Sequence, residues 1–150
     1  MLKIVVCSDN HGDKAILNRI VAKHPDATCY IHCGDSEMME YELSPFLSVK
    51  GNNDYYIDNI DRIIKIDNFN AYITHGHKMY LSEDNMLARA RKNKCNFFIF
   101  GHTHQPFYKC IDNIHLLNPG ALSYPRSAQG CTYAIIKIED DKYDISFENI

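Results

Sequence analysis

Five times along this chain an apolar run stops and gives way to aspartate, asparagine or histidine. LKIVVCS leads to Asp9 and His11, and CYIHCG leads to Asp35. FLSVKG leads to Asn52, AYIT to His75, and FFIFG to His102 and His104. Runs this short and this rich in Val, Ile, Tyr and Phe read as strands, and their unbroken apolar character marks strands buried on both faces. Sheets of that kind bind ligands outside the carboxyl ends of their strands. The seven polar side chains, arriving from five strands, are therefore expected at one spot.

The remaining segments fit the same plan. A helix is expected over residues 13–24, where Ile16, Leu17, Ile20 and Val21 recur on one face until Pro25 ends it. A second helix is expected over 82–93, with Ser82 as N-cap, Glu83 and Asp84 in its first turn and Arg89, Arg91 and Lys92 towards its end. Residues 62–66 and 69–74 form a hairpin about the turn Asp67-Asn68. Further strands are expected at 28–33, 46–49, 97–100, 107–111, 115–117, 132–139 and 143–147. Residues 36–43 read as a short helix or a lid-like loop, with Met38 and Met39 as filler of a core or interface. The pattern points to an α/β chain with two face-to-face sheets and helices outside, in one domain over residues 1–150.

Charge and cysteine usage narrow the setting. A formal net charge of −3 lacks the basic footprint of a duplex-binding protein, so nucleic acid is not the leading partner. The basic stretches at 14–23 and 89–94 read as solvated helix faces. The first apolar run is too short for a signal peptide or a membrane span, and no later run reaches spanning length, so a cytoplasmic setting with no membrane partner is expected. Its six cysteines are then reduced thiols. Cys7, Cys29, Cys33 and Cys110 lie in apolar runs, where a thiol acts as a small hydrophobe. A zinc pair of Cys29 and Cys33 is disfavoured, because four residues along one strand hold them well apart.

Each polar motif has a plainer meaning on its own. Asp and Asn are turn formers, and a histidine at a strand end can be satisfied locally. All of them together, in order and at strand ends, are hard to explain as turn composition. Mixed carboxylate, imidazole and amide donors suit manganese, iron, zinc or nickel rather than the oxygen cage of calcium. Two divalent ions set against the two carboxylates leave a site of about +2, or about +1 with a bridging hydroxide, which attracts a phosphate despite the acidic whole. Such a pair, about 3.5–4 Å apart, acidifies a shared water and clamps phosphoryl oxygens. Ser8 and Ser123 lack the base and orienting partner that a serine nucleophile needs.

The ordered set DNH, GD, GNND, HGH and GHTH, followed by Asn118-Pro119-Gly120, resembles the calcineurin-like metallophosphoesterases, especially their small bacterial and archaeal phosphodiesterases. The resemblance implies a four-layer αββα sandwich of two mixed β-sheets flanked by helices. It implies that Asp9, His11 and His104 hold a first metal, that Asn52, His75 and His102 hold a second, and that Asp35 bridges the two. It further implies hydrolysis of a small phosphodiester by a metal-bridging hydroxide, with manganese as the leading ion and nickel, iron or zinc as alternatives. Asn52 would also lie near the phosphate, and His77 would contact it or support the ligands from behind. Where many phosphomonoesterases of this family carry a histidine as general acid, Asn53 stands here, and an amide cannot donate a proton in that way. Slow turnover of poor leaving groups follows. Asp54 reads as an orienter of the ligands. The competing readings are a protein-interaction scaffold, as in a retromer subunit of the same fold, and a phosphomonoesterase or nuclease. A homodimer is compatible with so small a domain.

Overall fold

The computed structural model describes residues 1–150. The first sheet has the order β10-β9-β1-β2-β3, with β1 (Leu2–Cys7), β2 (Cys29–His32), β3 (Phe46–Ser48), β9 (Thr132–Glu139) and β10 (Lys142–Asn149). The three N-terminal strands run parallel, and β9 and β10 add an antiparallel hairpin. The second sheet has the order β4-β5-β6-β8-β7, with β4 (Asp61–Ile66), β5 (Phe69–Thr74), β6 (Phe97–Ile99), β7 (Pro106–Ile111) and β8 (Ile114–Pro119). Here β5, β6 and β8 are parallel, and the edge strands β4 and β7 are antiparallel to their neighbours. Both sheets are thus mixed.

Side-chain alternation along the strands builds three apolar layers from these two sheets. Ile4 and Val6 of β1 face the other sheet and join Ile31, Ile73, Phe97, Ile99 and Ile136 between them. Val5 and Cys7 point outward, where Leu17 and Ile20 of α1 (Lys14–Lys23) cover them together with Leu43 and Ile57. On the other side Tyr72, Phe98 and Leu116 meet Met86, Leu87 and Ala90 of α2 (Glu83–Lys92). A strand covered on both faces cannot alternate with polar residues, which is why β1, β2 and β6 read as unbroken apolar runs. The order of layers is α1, sheet, sheet, α2: a four-layer sandwich with thin outer layers.

Local chemistry sets the helix ends. The Asp13 side chain accepts from the Ile16 N–H at 3.2 Å and starts α1, and the Ser82 hydroxyl accepts from the Asn85 N–H at 3.1 Å and starts α2. Residues 36–43 contain only a short 3₁₀ turn, Glu40–Leu43; Met38 is buried and Met39 exposed. All six cysteines are unpaired. Cys110 is exposed rather than buried, because β7 is an edge strand and Cys110 lies on its face away from α2, beside Tyr108 and His115, where the sheet ends. No helix is long and apolar enough to cross a membrane.

Candidate metal centre

Register brings the carboxyl ends of the parallel strands into rows. Cys7, His32 and Ser48 lie side by side in the first sheet, and Ile73, Ile99 and Leu117 in the second. The chain therefore leaves five neighbouring strands at one height, and within two to four residues of those rows come Asp9, Asp35, Asn52, His75 and His102. Left-handed backbone turns five of the seven side chains back over the sheets. Asp9, His11, Asp35, His102 and His104 all adopt it, with φ between 46° and 68°. Asp and His tolerate this region better than most residues, yet each such residue still costs about 1–3 kcal/mol when held rigidly. Gly34, at φ +102°, could take no side chain, because a Cβ there would press on the His75 ring at 2.8 Å. A Cβ on Gly51 would collide with the Asp35 carboxylate, and one on Gly101 with Ser8. The glycines before the ligands are therefore clearance for the ligands themselves.

Two groups of donor atoms result, each compact enough for one ion: Asp9, His11 and His104, and Asp9, Asp35 and His75, with all atoms of a group within 4.8 Å of one another. In the first, Asp9 Oδ1 lies 3.3 Å from His104 Nε2 and 3.9 Å from His11 Nε2. In the second, His75 Nε2 lies 3.4 Å from Asp35 Oδ2 and 4.0 Å from Asp9 Oδ1. Asp9 Oδ1, His11 Nε2 and His75 Nε2 are buried without a hydrogen-bond partner. An orphaned buried polar atom costs about 1–3 kcal/mol. Three of them facing one space, all of ligand type, fit divalent metal ions. A cleft of about 230 Å³ opens over them, lined also by Asn52 and His102. His77 sits behind, its ring centroid 5.4 Å from that of His75 and 6.4 Å from that of His102.

The remaining atoms of the ligands are held from behind. His75 Nδ1 donates to the Cys33 carbonyl at 2.8 Å, and His104 Nδ1 donates to the Tyr124 carbonyl at 2.8 Å. A carbonyl can only accept, so these bonds fix the proton on Nδ1 and leave Nε2 to point at the site. The Ser8 hydroxyl donates to Asp9 Oδ2 at 2.5 Å and is thereby engaged. Asp54 accepts from the backbone N–H groups of Asp35, Gly51 and Glu37 at 2.7–2.8 Å, tying together the loops after β2 and β3. Asn118 donates to the Gly101 carbonyl at 2.9 Å and to Thr103 Oγ1 at 3.0 Å, which pins the GHTH turn.

The charges separate the histidines into two kinds. Burial alone would lower His75, but Asp35 and Asp9 outweigh it and its pKa is raised. His104 is raised by the Asp9 carboxylate beside it. His102 and His77 are lowered, first by burial and then by the charge of His75. Burial would raise Asp35, yet His75 and the two Asn53 donors hold its carboxyl well below the usual carboxylate range.

All seven side chains expected as ligands thus stand around one cleft or its floor, with His77 adjoining. The donor groups share Asp9, while Asp35 stands beside His75. Asn53 does more than fill the place of a histidine: its N–H and Nδ2 both donate to Asp35, at 2.9 and 3.0 Å. Sequence reasoning missed three features. His32 is buried between the Asn10 amide oxygen at 2.8 Å and the Gly34 N–H at 3.0 Å, inside a strand that reads as apolar. Glu37 reaches within 3.5 Å of His11 Nδ1. Tyr124 and Arg126 line the cleft from a loop whose only sequence marker is its nearness to Asn118-Pro119-Gly120.

The sequence profile of the calcineurin-like phosphoesterase superfamily domain matches residues 2–141. The chain is 30% identical to the probable metallophosphoesterase YsnB of Bacillus subtilis, over 97% of its own length and 90% of the relative's. It is 25% identical to the phosphodiesterase MJ0936 of Methanocaldococcus jannaschii, over 79% of this chain and 83% of that one. Among solved structures it resembles a predicted phosphoesterase from Streptococcus pneumoniae TIGR4, with a TM-score of 0.90 at 27% identity, covering 99% of this chain and 89% of the other. Zinc-complexed Vps29 from Entamoeba histolytica shares the fold, with a TM-score of 0.77 at 19% identity over 99% and 98% of the two chains.

Proposed function

This chain belongs to the calcineurin-like phosphoesterase superfamily, and from that premise we propose that it is a phosphodiesterase using two divalent metal ions, manganese first among them, on small phosphodiesters in the cytoplasm. The observation that carries the reading is the convergence of Asp9 Oδ1, His11 Nε2 and His75 Nε2, three buried donor atoms with no partner in the protein. Asp9, His11 and His104 would hold one ion, and Asn52, His75 and His102 the other, with Asp35 between them. Ions bound there supply Lewis acidity, making a water nucleophilic near neutral pH and offsetting phosphoryl charge.

The chain's own residues do the rest. Cys33 and Tyr124, through their carbonyls, hold the Nδ1 proton of His75 and His104 and aim Nε2 at the site. Asn53 clamps both oxygens of Asp35, so its amide is committed to orienting that carboxylate. With no imidazole at this position, protonation of a poor leaving group is weak, which favours activated diesters over monoesters. Asn52, on the exposed lip of the cleft, is suited to touch the phosphate as well as an ion. His77, lowered in pKa and therefore neutral at pH 7, is suited to donate or accept a hydrogen bond beside His102.

The likeness to Vps29 raises a second reading, a protein-interaction scaffold. The full set of ligand side chains argues for the enzyme. The test is hydrolysis of bis(p-nitrophenyl) phosphate by the manganese-loaded protein, its loss on chelation, and its loss in Asp35→Ala and His102→Ala. A metal-loaded chain inert on mono- and diesters would overturn the enzymatic reading.

A further inference from the structure

The loop after β8 is built into the centre more firmly than its exposure suggests. The N–H groups of Leu122 and Ser123 donate to the carbonyls of Ser8 and Asp9, both at 3.0 Å, and that of Arg126 donates to the His104 carbonyl at 3.0 Å. This loop is thereby pinned to both the first and the last ligand loops. Within it Tyr124 is held in left-handed backbone, φ 54°, an unfavourable region for a bulky side chain. The residue is 74% exposed, yet its ring stands edge-on to His11 with centroids 5.5 Å apart. The same backbone turn presents the Tyr124 carbonyl to His104 Nδ1 and leaves the aromatic ring beside the cleft, where a flat ligand can stack on it.

Arg126 lines the same cleft, and its side chain has no partner. Arg62 is engaged with Glu40 and the Ser48 carbonyl, Arg89 with Tyr72 and Arg91 with Asp112, while Arg19, also without a partner, stands on α1 beside Lys23 and Tyr133 and does not line this cleft. A free guanidinium on a cleft that Asn52 and Asn53 also line is matched to a phosphoryl oxygen. Further exposed tyrosines, Tyr55, Tyr56 and Tyr80, lie on loops at this same end of the sheets. A chain of net charge −3 has no basic track for a long strand, which leaves mono- and dinucleotides rather than polymers.

Resting on the phosphodiesterase reading, we propose that Tyr124 and Arg126 form the recognition rim of this cleft and make nucleotide phosphodiesters the preferred substrates. The Arg126 guanidinium takes a non-bridging phosphoryl oxygen, and a nucleobase stacks on the Tyr124 ring. Stacking of a base on an aromatic side chain is tolerant of base identity, so discrimination among bases is small.

The experiment compares thymidine 5′-(p-nitrophenyl phosphate) with methyl p-nitrophenyl phosphate as substrates, and thymidine 5′-monophosphate with methyl phosphate as ligands in calorimetry, all on manganese-loaded protein. Wild type should favour the thymidine member of each pair by about tenfold or more. Tyr124→Leu should erase that preference, and Tyr124→Phe should keep it. Arg126→Gln should raise KM about tenfold for both esters, with kcat changed less than KM. Manganese affinity should be equal in all variants. An unchanged thymidine preference in Tyr124→Leu, an unchanged KM in Arg126→Gln, or loss of manganese from either would overturn the recognition role. Should the loaded wild type hydrolyse neither ester, the phosphodiesterase reading fails, and the calorimetric ratios alone then decide whether the rim recognises nucleotides.

Discussion

The two ends of the sheets use the same backbone device for opposite purposes. At the far end, Asp67, Asp112, Asn113 and Asp140 turn the hairpins in left-handed conformation, and all four are exposed. At the near end Asp9, Asp35 and His104 adopt the same conformation while buried, with His11 and His102 half-buried beside them. The far-end carboxylates are open to solvent, and Arg91 also pairs with Asp112. Nothing in the protein satisfies Asp9 Oδ1, His11 Nε2 or His75 Nε2. A left-handed Asp is therefore a turn when it is wet and a candidate ligand when it is dry, and burial rather than backbone geometry separates the two.

The sharpest break of this comparison is to remove a side chain at each end. Replacing Asp9 or His75 with alanine should lower manganese-dependent hydrolysis of an activated diester by about a thousandfold or more, beyond the 10–100-fold typical of outer-shell residues. Asp112→Ala should leave the rate within about twofold. Steady-state kinetics on the three proteins checks both.

Next in size is the effect of acid on the near end. Burial lowers His32 to a pKa of about 4, and it stays neutral between Asn10 and Gly34. Between pH 6.5 and about 4 the unfolded chain therefore binds a proton at this position that the folded chain refuses. Stability falls as pH falls through that window, by about 3 kcal/mol at most from this residue. Urea titrations at pH 7, 5.5 and 4.5 should show the slope, and His32→Gln should flatten it.

Smaller still are the residues that shape the ligands without binding anything. Asp54→Asn replaces an acceptor of three backbone N–H groups by an amide with only one accepting oxygen, and should weaken manganese binding about 10–100-fold. Gly51→Ala drives a methyl group into Asp35, and should weaken binding by a similar factor while costing about 1–3 kcal/mol of stability. Calorimetric titration with manganese measures both. At the bottom of the scale, Asp67→Gly should change stability by no more than about 0.5 kcal/mol in thermal unfolding, because glycine accepts the same turn.

Much of this arrangement is legible in the sequence because strands buried on both faces leave no choice of residue. Val5, Val6, Ile31, Phe98 and Ile99 mark their strands, and Asp13, Pro25 and Ser82 mark the helix ends. What escapes depends on the other sheet or on pairing across loops. Cys110 sits in an apolar run but on an uncovered edge. His32 hides its polarity by pairing with Asn10, a contact between residues 22 apart. Asn53 announces what it cannot do as an acid, whereas its hold on Asp35 exists only once β2 and β3 lie side by side. The exposed Tyr124 and Arg126 follow no periodicity at all.

The central claim is that the dry end of the sheets holds a pair of ions and the wet end holds none. Anomalous diffraction from a crystal soaked in manganese tests it most directly. Two peaks about 3.5–4 Å apart, one beside Asp9, His11 and His104 and the other beside Asp35 and His75, are the predicted result. A map empty there, or manganese found instead among Asp67, Glu139 and Asp140 at the far end, would contradict it.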